Sequence, residues 1–121
     1  MKTIKLMVFD FDGTLVASGG DLAASVNHTL GVLKIPLLDP GTITGFIGDG
    51  VAKLIERALG DEHRHRSAEA MEIFSAHYAD HLLDTTILYP GVRDTLEHFQ
   101  DTKKVIITNK LYAYTLSLIH I

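Results

Sequence analysis

Asp10 and Asp12 stand one residue apart in the segment Val8-Phe9-Asp10-Phe11-Asp12-Gly13-Thr14-Leu15. Paired carboxylates at this spacing suit phosphoryl transfer. One can attack phosphorus while the other moves protons, and a divalent cation can offset the charge that both share with an anionic substrate. Side chains alternate along an extended chain, so Asp10 and Asp12 project to one side and Phe9 and Phe11 to the other. Gly13 lets the chain turn sharply beside a ligand. A bare Asp-x-Asp is also common as a solvated acidic turn, and it is the preceding strand and the following Gly-Thr that favour chemistry.

The elements that must position this pair are legible on either side of it. Residues 4–9 are apolar apart from Lys5 and read as a short strand buried on both faces, as in a parallel sheet. Ligands of open α/β sheets bind beyond the carboxyl ends of the strands, which is where Asp10 and Asp12 fall. A second β-branched run, Lys104-Val105-Ile106-Ile107-Thr108-Asn109-Lys110, reads as a strand followed by a loop.

Between the two runs the period becomes helical. Asp21 is expected to cap a helix carrying Leu22, Val26, Leu30 and Leu33, with Pro36 ending it. A second helix is expected over 51–59 with Gly60 as its stop. Ser67 is expected to cap a third, whose Met71, Phe74, Tyr78 and Leu82 form a core-facing stripe. No strand is expected within 16–86. Gly45-Phe46-Ile47-Gly48-Asp49-Gly50 is a glycine-dense loop before a helix, able to bring backbone N–H groups near an anion, although it lacks the ending of a Walker loop. Lys53 and Arg57 lie four apart on that helix and are within reach of a substrate carboxylate, though solvent exposure is their default. Tyr89-Pro90-Gly91-Val92 opens a further helix with Val92, Leu96 and Phe99 on one face. His77 and His81 are spaced for chelation and His63-Arg64-His65-Arg66 is basic, but neither set has a further ligand at fixed spacing, and both read as solvated surface.

Composition narrows the class. The absence of cysteine excludes disulfides, and no apolar stretch approaches a membrane span. Met1-Lys2-Thr3 leads into a strand rather than a signal peptide, so a cytoplasmic location is expected. A net charge of −4, from 11 basic and 15 acidic residues, leaves no electrostatic footprint for nucleic acid.

The string Asp10-Phe11-Asp12-Gly13-Thr14-Leu15 resembles the first motif of the haloacid dehalogenase superfamily, in its phosphatase branch. Thr108-Asn109-Lys110 resembles the second motif, in the form typical of phosphoglycolate phosphatase-like members, and Tyr-Pro-Gly-Val at 89–92 resembles the same branch. The resemblance implies an α/β fold: a Rossmann-like parallel-sheet core, incomplete here, formed by 1–15 and 87–121, with an inserted all-helical C1-type cap over 16–86. It implies a magnesium-dependent phosphatase acting on a small phosphorylated metabolite, 2-phosphoglycolate above all. Asp10 would be the nucleophile that forms an aspartyl phosphate, and Asp12 the acid and base. Asp10 and the Asp12 backbone carbonyl would bind Mg2+, and Thr108, Asn109 and Lys110 would line the phosphate pocket. Gly48 and Gly50 would lie on the cap loop that reaches over it. True dehalogenases lack the second acid. A sugar-phosphate mutase or pyrophosphatase on the same scaffold, or a non-catalytic fragment, are the other readings.

Two departures accompany the resemblance. Where members often carry an Asp shortly after Leu15, this chain has Val16-Ala17-Ser18. The third motif, a lysine, and the fourth, an acidic pair, are expected downstream of Lys110 and are missing, so this chain is expected to be the N-terminal half of its parent and inactive alone. Leu116-Ser117-Leu118-Ile119-His120-Ile121 translates CTG TCT CTT ATA CAC ATC, the end of a transposon used in sequencing libraries. An adaptor-derived tail and an ordinary apolar helix end are both open. An uninterrupted frame encoding the same tail in transposon-free resequencing would eliminate the first.

Overall fold

The computed structural model describes residues 3–119, so Met1 and Lys2 of the leader reading and His120 and Ile121 of the tail lie outside the described residues. The first apolar run forms β1 (Leu6–Phe9). A tight turn follows, in which the N–H of Leu15 bonds Phe11 O and that of Gly13, at φ 80°, bonds Val16 O. β2 (Val16–Ala17) leads into α1 (Gly19–Val32), α2 (Pro40–Thr44), α3 (Val51–His63), a 3-10 turn at Arg64–Arg66, and α4 (Ser67–His81). β3 (Ile87–Leu88), α5 (Val92–His98), β4 (Lys103–Ile106) and α6 (Tyr112–Ile119) complete the described chain.

β1 and β4 pair in parallel, from Leu6 opposite Lys103 to Phe9 opposite Ile106. Ile107 N–H extends the ladder to Phe9 O. This register makes both strands run out side by side, so that Asp10 and Thr108 emerge at one carboxyl edge. β2 and β3 form a separate antiparallel pair, Val16 opposite Leu88 and Ala17 opposite Ile87. Its first strand, Val16–Ala17, lies inside 16–86, where no strand was expected, and periodicity could not reveal it, since two residues carry no period.

The core lies among the helices. α4 packs on α1 and α3, burying Val26, Leu30, Leu54, Ile55, Phe74 and Tyr78, with Ile43 of α2 beneath. The stripe expected on α4 is therefore buried, Met71 only partly. The sheet differs from expectation: Leu6 and Val8 are about half exposed, at 51% and 54%, and only the alternate Met7 and Phe9 turn inward. Among the described residues no element covers that outer face, so the strand is buried on one face and not on two.

Helix ends also differ in their physical cause. α1 stops at Val32 through a Schellman closure, with Lys34 at φ 60°, Lys34 N–H on Gly31 O and Ile35 N–H on Leu30 O, before Pro36 is reached. Asp21 sits in the first turn and does not cap it; the N-cap is Ser18. Ser67 is the first residue of α4, and its hydroxyl donates backward to Arg64 O at 2.6 Å. Gly60 breaks the helical path at φ 69°, ψ 178°, although helical pairing resumes to His63. α2 was not expected, yet Asp39 accepts from Gly41 and Thr42 N–H ahead of Pro40 at the first helical turn.

Candidate active site

Asp10, Asp12, Gly48, Gly50, Thr108, Asn109 and Lys110 all line a single cleft, with Leu22, Ile47, Val51 and Leu54 as its apolar walls. Three segments build it. The end of β1 supplies the aspartates, the loop between β4 and α6 supplies Thr108 to Lys110, and the loop before α3 supplies the glycines.

Asp10 is exposed, and its Oδ1 accepts the N–H of Phe11 at 2.7 Å. Phe11 itself is buried, anchoring the turn in the core. Asp12 is more enclosed. Its Oδ1 accepts the Ser18 hydroxyl at 2.5 Å and the Lys110 ammonium at 3.2 Å. Across the cleft, Thr108 Oγ1 accepts Lys110 N–H at 3.1 Å, a local turn that holds this loop.

Lys110 does not stand free in the cleft. Its side chain is 1% exposed, and Nζ donates to Tyr78 Oη at 2.7 Å as well as to Asp12. The ammonium lies 4.8 Å from the centroid of the Tyr78 ring. Burial pushes the Lys110 pKa below 10.5, and the Asp12 carboxylate opposes that shift. Burial likewise pushes the Tyr78 phenol upward, with Asp12 adding to it, so the phenol stays neutral.

The glycine loop is held against the β4–α6 loop from both sides. Asn109 Nδ2 donates to Gly48 O at 2.8 Å. Gly50 has φ 91°, and a Cβ there would stand 3.3 Å from Asn109 O, so both backbone conformation and space call for glycine. Arg57 steadies the loop from behind, donating to Phe46 O at 2.8 Å and to Asp49 at 2.6 Å. Lys53 pairs with Glu56 at 3.6 Å on the surface. Neither Lys53 nor Arg57 lines the cleft.

Sequence reasoning missed Ser18 and Tyr78. Tyr78 had been assigned to the core stripe, where it does lie; the available signal was a hydroxyl on an otherwise apolar face, since a buried phenol usually has a partner. His77 and His81, spaced for chelation, stack with His28, with ring centroids 4.1 Å apart at each step. Among the described residues no group of three or more His, Asp or Glu side chains gathers to hold a metal. The exposed Asp10 carboxylate at an open cleft nonetheless fits Mg2+, a hard cation that is commonly held by one or two carboxylates while waters and a substrate phosphate fill the rest.

The chain matches the family model described as haloacid dehalogenase-like hydrolase over residues 7–120. It is 43% identical to a phosphoglycolate phosphatase of Chromobacterium violaceum, covering 91% of this chain and 53% of that protein. It is 40% identical to a phosphoglycolate phosphatase of Cereibacter sphaeroides, with 88% and 52% covered. Among solved structures it resembles a predicted phosphoglycolate phosphatase from Haemophilus somnus, at TM-score 0.86 and 31% identity, covering 94% of this chain and 55% of that one. The chain spans about half the length of the curated relatives it matches.

Proposed function

Because the chain belongs to the haloacid dehalogenase-like hydrolases, we propose that its full-length protein is a phosphatase that hydrolyses a small phosphate monoester, 2-phosphoglycolate first among them, by way of an aspartyl phosphate. The convergence of Asp10, Asp12 and Thr108 to Lys110 on one cleft at the strand ends carries this reading. The substrate is suggested by the names of the relatives, which are phosphoglycolate phosphatases.

In this reading an Asp10 carboxylate oxygen bonds to phosphorus while the bond from phosphorus to the ester oxygen breaks. The electron pair leaves with that oxygen, which takes a proton from the Asp12 carboxyl group. Asp12, now a carboxylate, then removes a proton from water as the water oxygen bonds to phosphorus. The acyl–phosphate bond breaks, restoring the Asp10 carboxylate and releasing inorganic phosphate. The sum is ester plus water giving alcohol plus phosphate. Thr108, through its hydroxyl and N–H, and the Asn109 amide orient the phosphoryl oxygens. Asp10 and the Asp12 carbonyl would hold Mg2+, which supplies charge neutralisation for the carboxylate and phosphate brought together there. We assign residues 16–86 to the cap, whose loop at Gly48 and Gly50 covers the cleft.

The test is hydrolysis of a phosphate monoester panel by the full-length protein with magnesium. We expect activity there, none in the 121-residue chain alone, and a loss of at least about 1,000-fold in Asp10→Asn, since a missing nucleophile removes the covalent route. Substantial turnover by Asp10→Asn would refute the nucleophile. Turnover by the short chain would show that residues beyond it are dispensable.

A further inference from the structure

Tyr78 is fully buried on α4, on the same stripe as Phe74, where a phenyl ring would fill nearly the same space. Its hydroxyl oxygen instead receives the Lys110 ammonium, at 2.7 Å. A buried ammonium is costly unless its donors are satisfied, so its position is set by the acceptors that surround it. Here those are Tyr78 Oη and Asp12 Oδ1. The same Asp12 oxygen takes the Ser18 hydroxyl from the residue just before α1. Two donors from separate segments therefore meet at one oxygen of Asp12, one of them held in turn by α4 through Tyr78, and these two hydrogen bonds restrain the plane of the carboxyl group and the place of its other oxygen.

We infer that Tyr78 is a positioning residue for the proton-transfer step, acting through the Lys110 ammonium to set the Asp12 carboxyl group, so that protonation of the leaving oxygen depends on how α4 is seated. This rests on the phosphatase reading given above. In the step concerned the proton passes from the Asp12 carboxyl oxygen to the ester oxygen as the bond from that oxygen to phosphorus breaks. An alkyl leaving group needs the proton, whereas a nitrophenolate departs without it. Displacing Asp12 by a fraction of an ångström therefore penalises the first and spares the second.

The experiment compares full-length wild type, Tyr78→Phe and Phe74→Leu, with magnesium, on 2-phosphoglycolate and on 4-nitrophenyl phosphate. For Tyr78→Phe we expect kcat/KM on 2-phosphoglycolate, which reports the steps up to release of the alcohol, to fall about tenfold or more, within what general acid catalysis contributes. The kcat/KM on 4-nitrophenyl phosphate should change little, because the activation of water by Asp12, common to both substrates, comes after the step that this ratio reports. Phe74→Leu, which removes packing from the same stripe but no polar atom, should leave the ratio of the two substrates at the wild-type value. Without turnover, the carboxyl 13C resonance of Asp12 should move in Tyr78→Phe while that of Asp10 stays. An equal fall in kcat/KM on both substrates, an unmoved Asp12 resonance, or a ratio of kcat/KM values shifted as far by Phe74→Leu overturns the role of Tyr78. A wild type inactive on both substrates, or an active Asp10→Asn, overturns the phosphatase reading itself and this inference with it.

Discussion

At Asp21, four donors meet one buried carboxylate: the backbone N–H and the hydroxyl of both Thr85 and Thr86, at 2.7 to 3.0 Å. Burial alone would raise its pKa, but these bonds outweigh it and hold the group below its ordinary 3.8. A carboxylate with a folded pKa below its unfolded one adds stability that is complete above the unfolded value and is lost as pH falls through the folded one. Asp21→Ala should therefore cost about 3 kcal/mol near neutral pH, because it strands buried donors. It should also flatten the loss of stability below 3.8. Denaturant unfolding across that range checks both, and an unchanged midpoint would discard this account. Asp21 also shows why residue roles are only partly legible in sequence. Its short polar side chain ahead of an apolar run signals a cap, but its partners lie more than sixty residues away, where only the fold brings them. Asp10, Asp12 and Thr108 were legible because strand ends and turn chemistry are local. The oxygen on Tyr78 was hidden by a periodicity that reports burial and says nothing of hydrogen bonding.

The packing of α1 against α4 includes the column of His28, His77 and His81. His77 Nδ1 shares a 2.8 Å hydrogen bond with Ser25 of α1, and His81 pairs with Asp84 at 2.6 Å. Burial depresses the His77 pKa below 6.5, as do the neighbouring His28 and His81, while Asp84 and Asp80 oppose. The unfolded chain thus binds a proton more readily at this residue. Stability is complete above 6.5 and is lost as pH falls through the folded value. We expect the thermal midpoint to fall between pH of about 7.5 and 5.5, and to fall less in His77→Gln. Parallel curves for the two proteins would remove His77 from the account. The long helices and the two parallel strands were visible in sequence, since the helical period repeats over several turns and the strands are unbroken apolar or β-branched runs. β2 and β3 were not, because their pairing is specified by each other, and α2 was overlooked although Asp39-Pro40 marks its start.

Across the whole molecule, stability is unevenly placed. The helices enclose the apolar interior, whereas among the described residues the parallel sheet has two strands and one bare face, an arrangement that is marginal by itself. Amide exchange should follow this division. Protection is expected to be greatest in α1 and α4 and much lower in β1 and β4, which open without unfolding the helices. Hydrogen exchange read by mass spectrometry measures it, and equal protection in the two regions would contradict this division. The narrow β2–β3 pairing, reinforced by Asp21 holding Thr85 and Thr86, has a further consequence for how such a chain can change over evolutionary time. The chain leaves for the helices and returns from them on adjacent strands, about 4.8 Å apart. With its two ends already stitched together, the helical insert presents the rest of the fold with a gap of a single strand spacing, and its length adds little closure entropy. It behaves as a plug in a socket: helices between Ala17 and Ile87 can change in length while the edge bearing Asp10 keeps its place, so long as Tyr78 still meets Lys110 and Gly48 still meets Asn109.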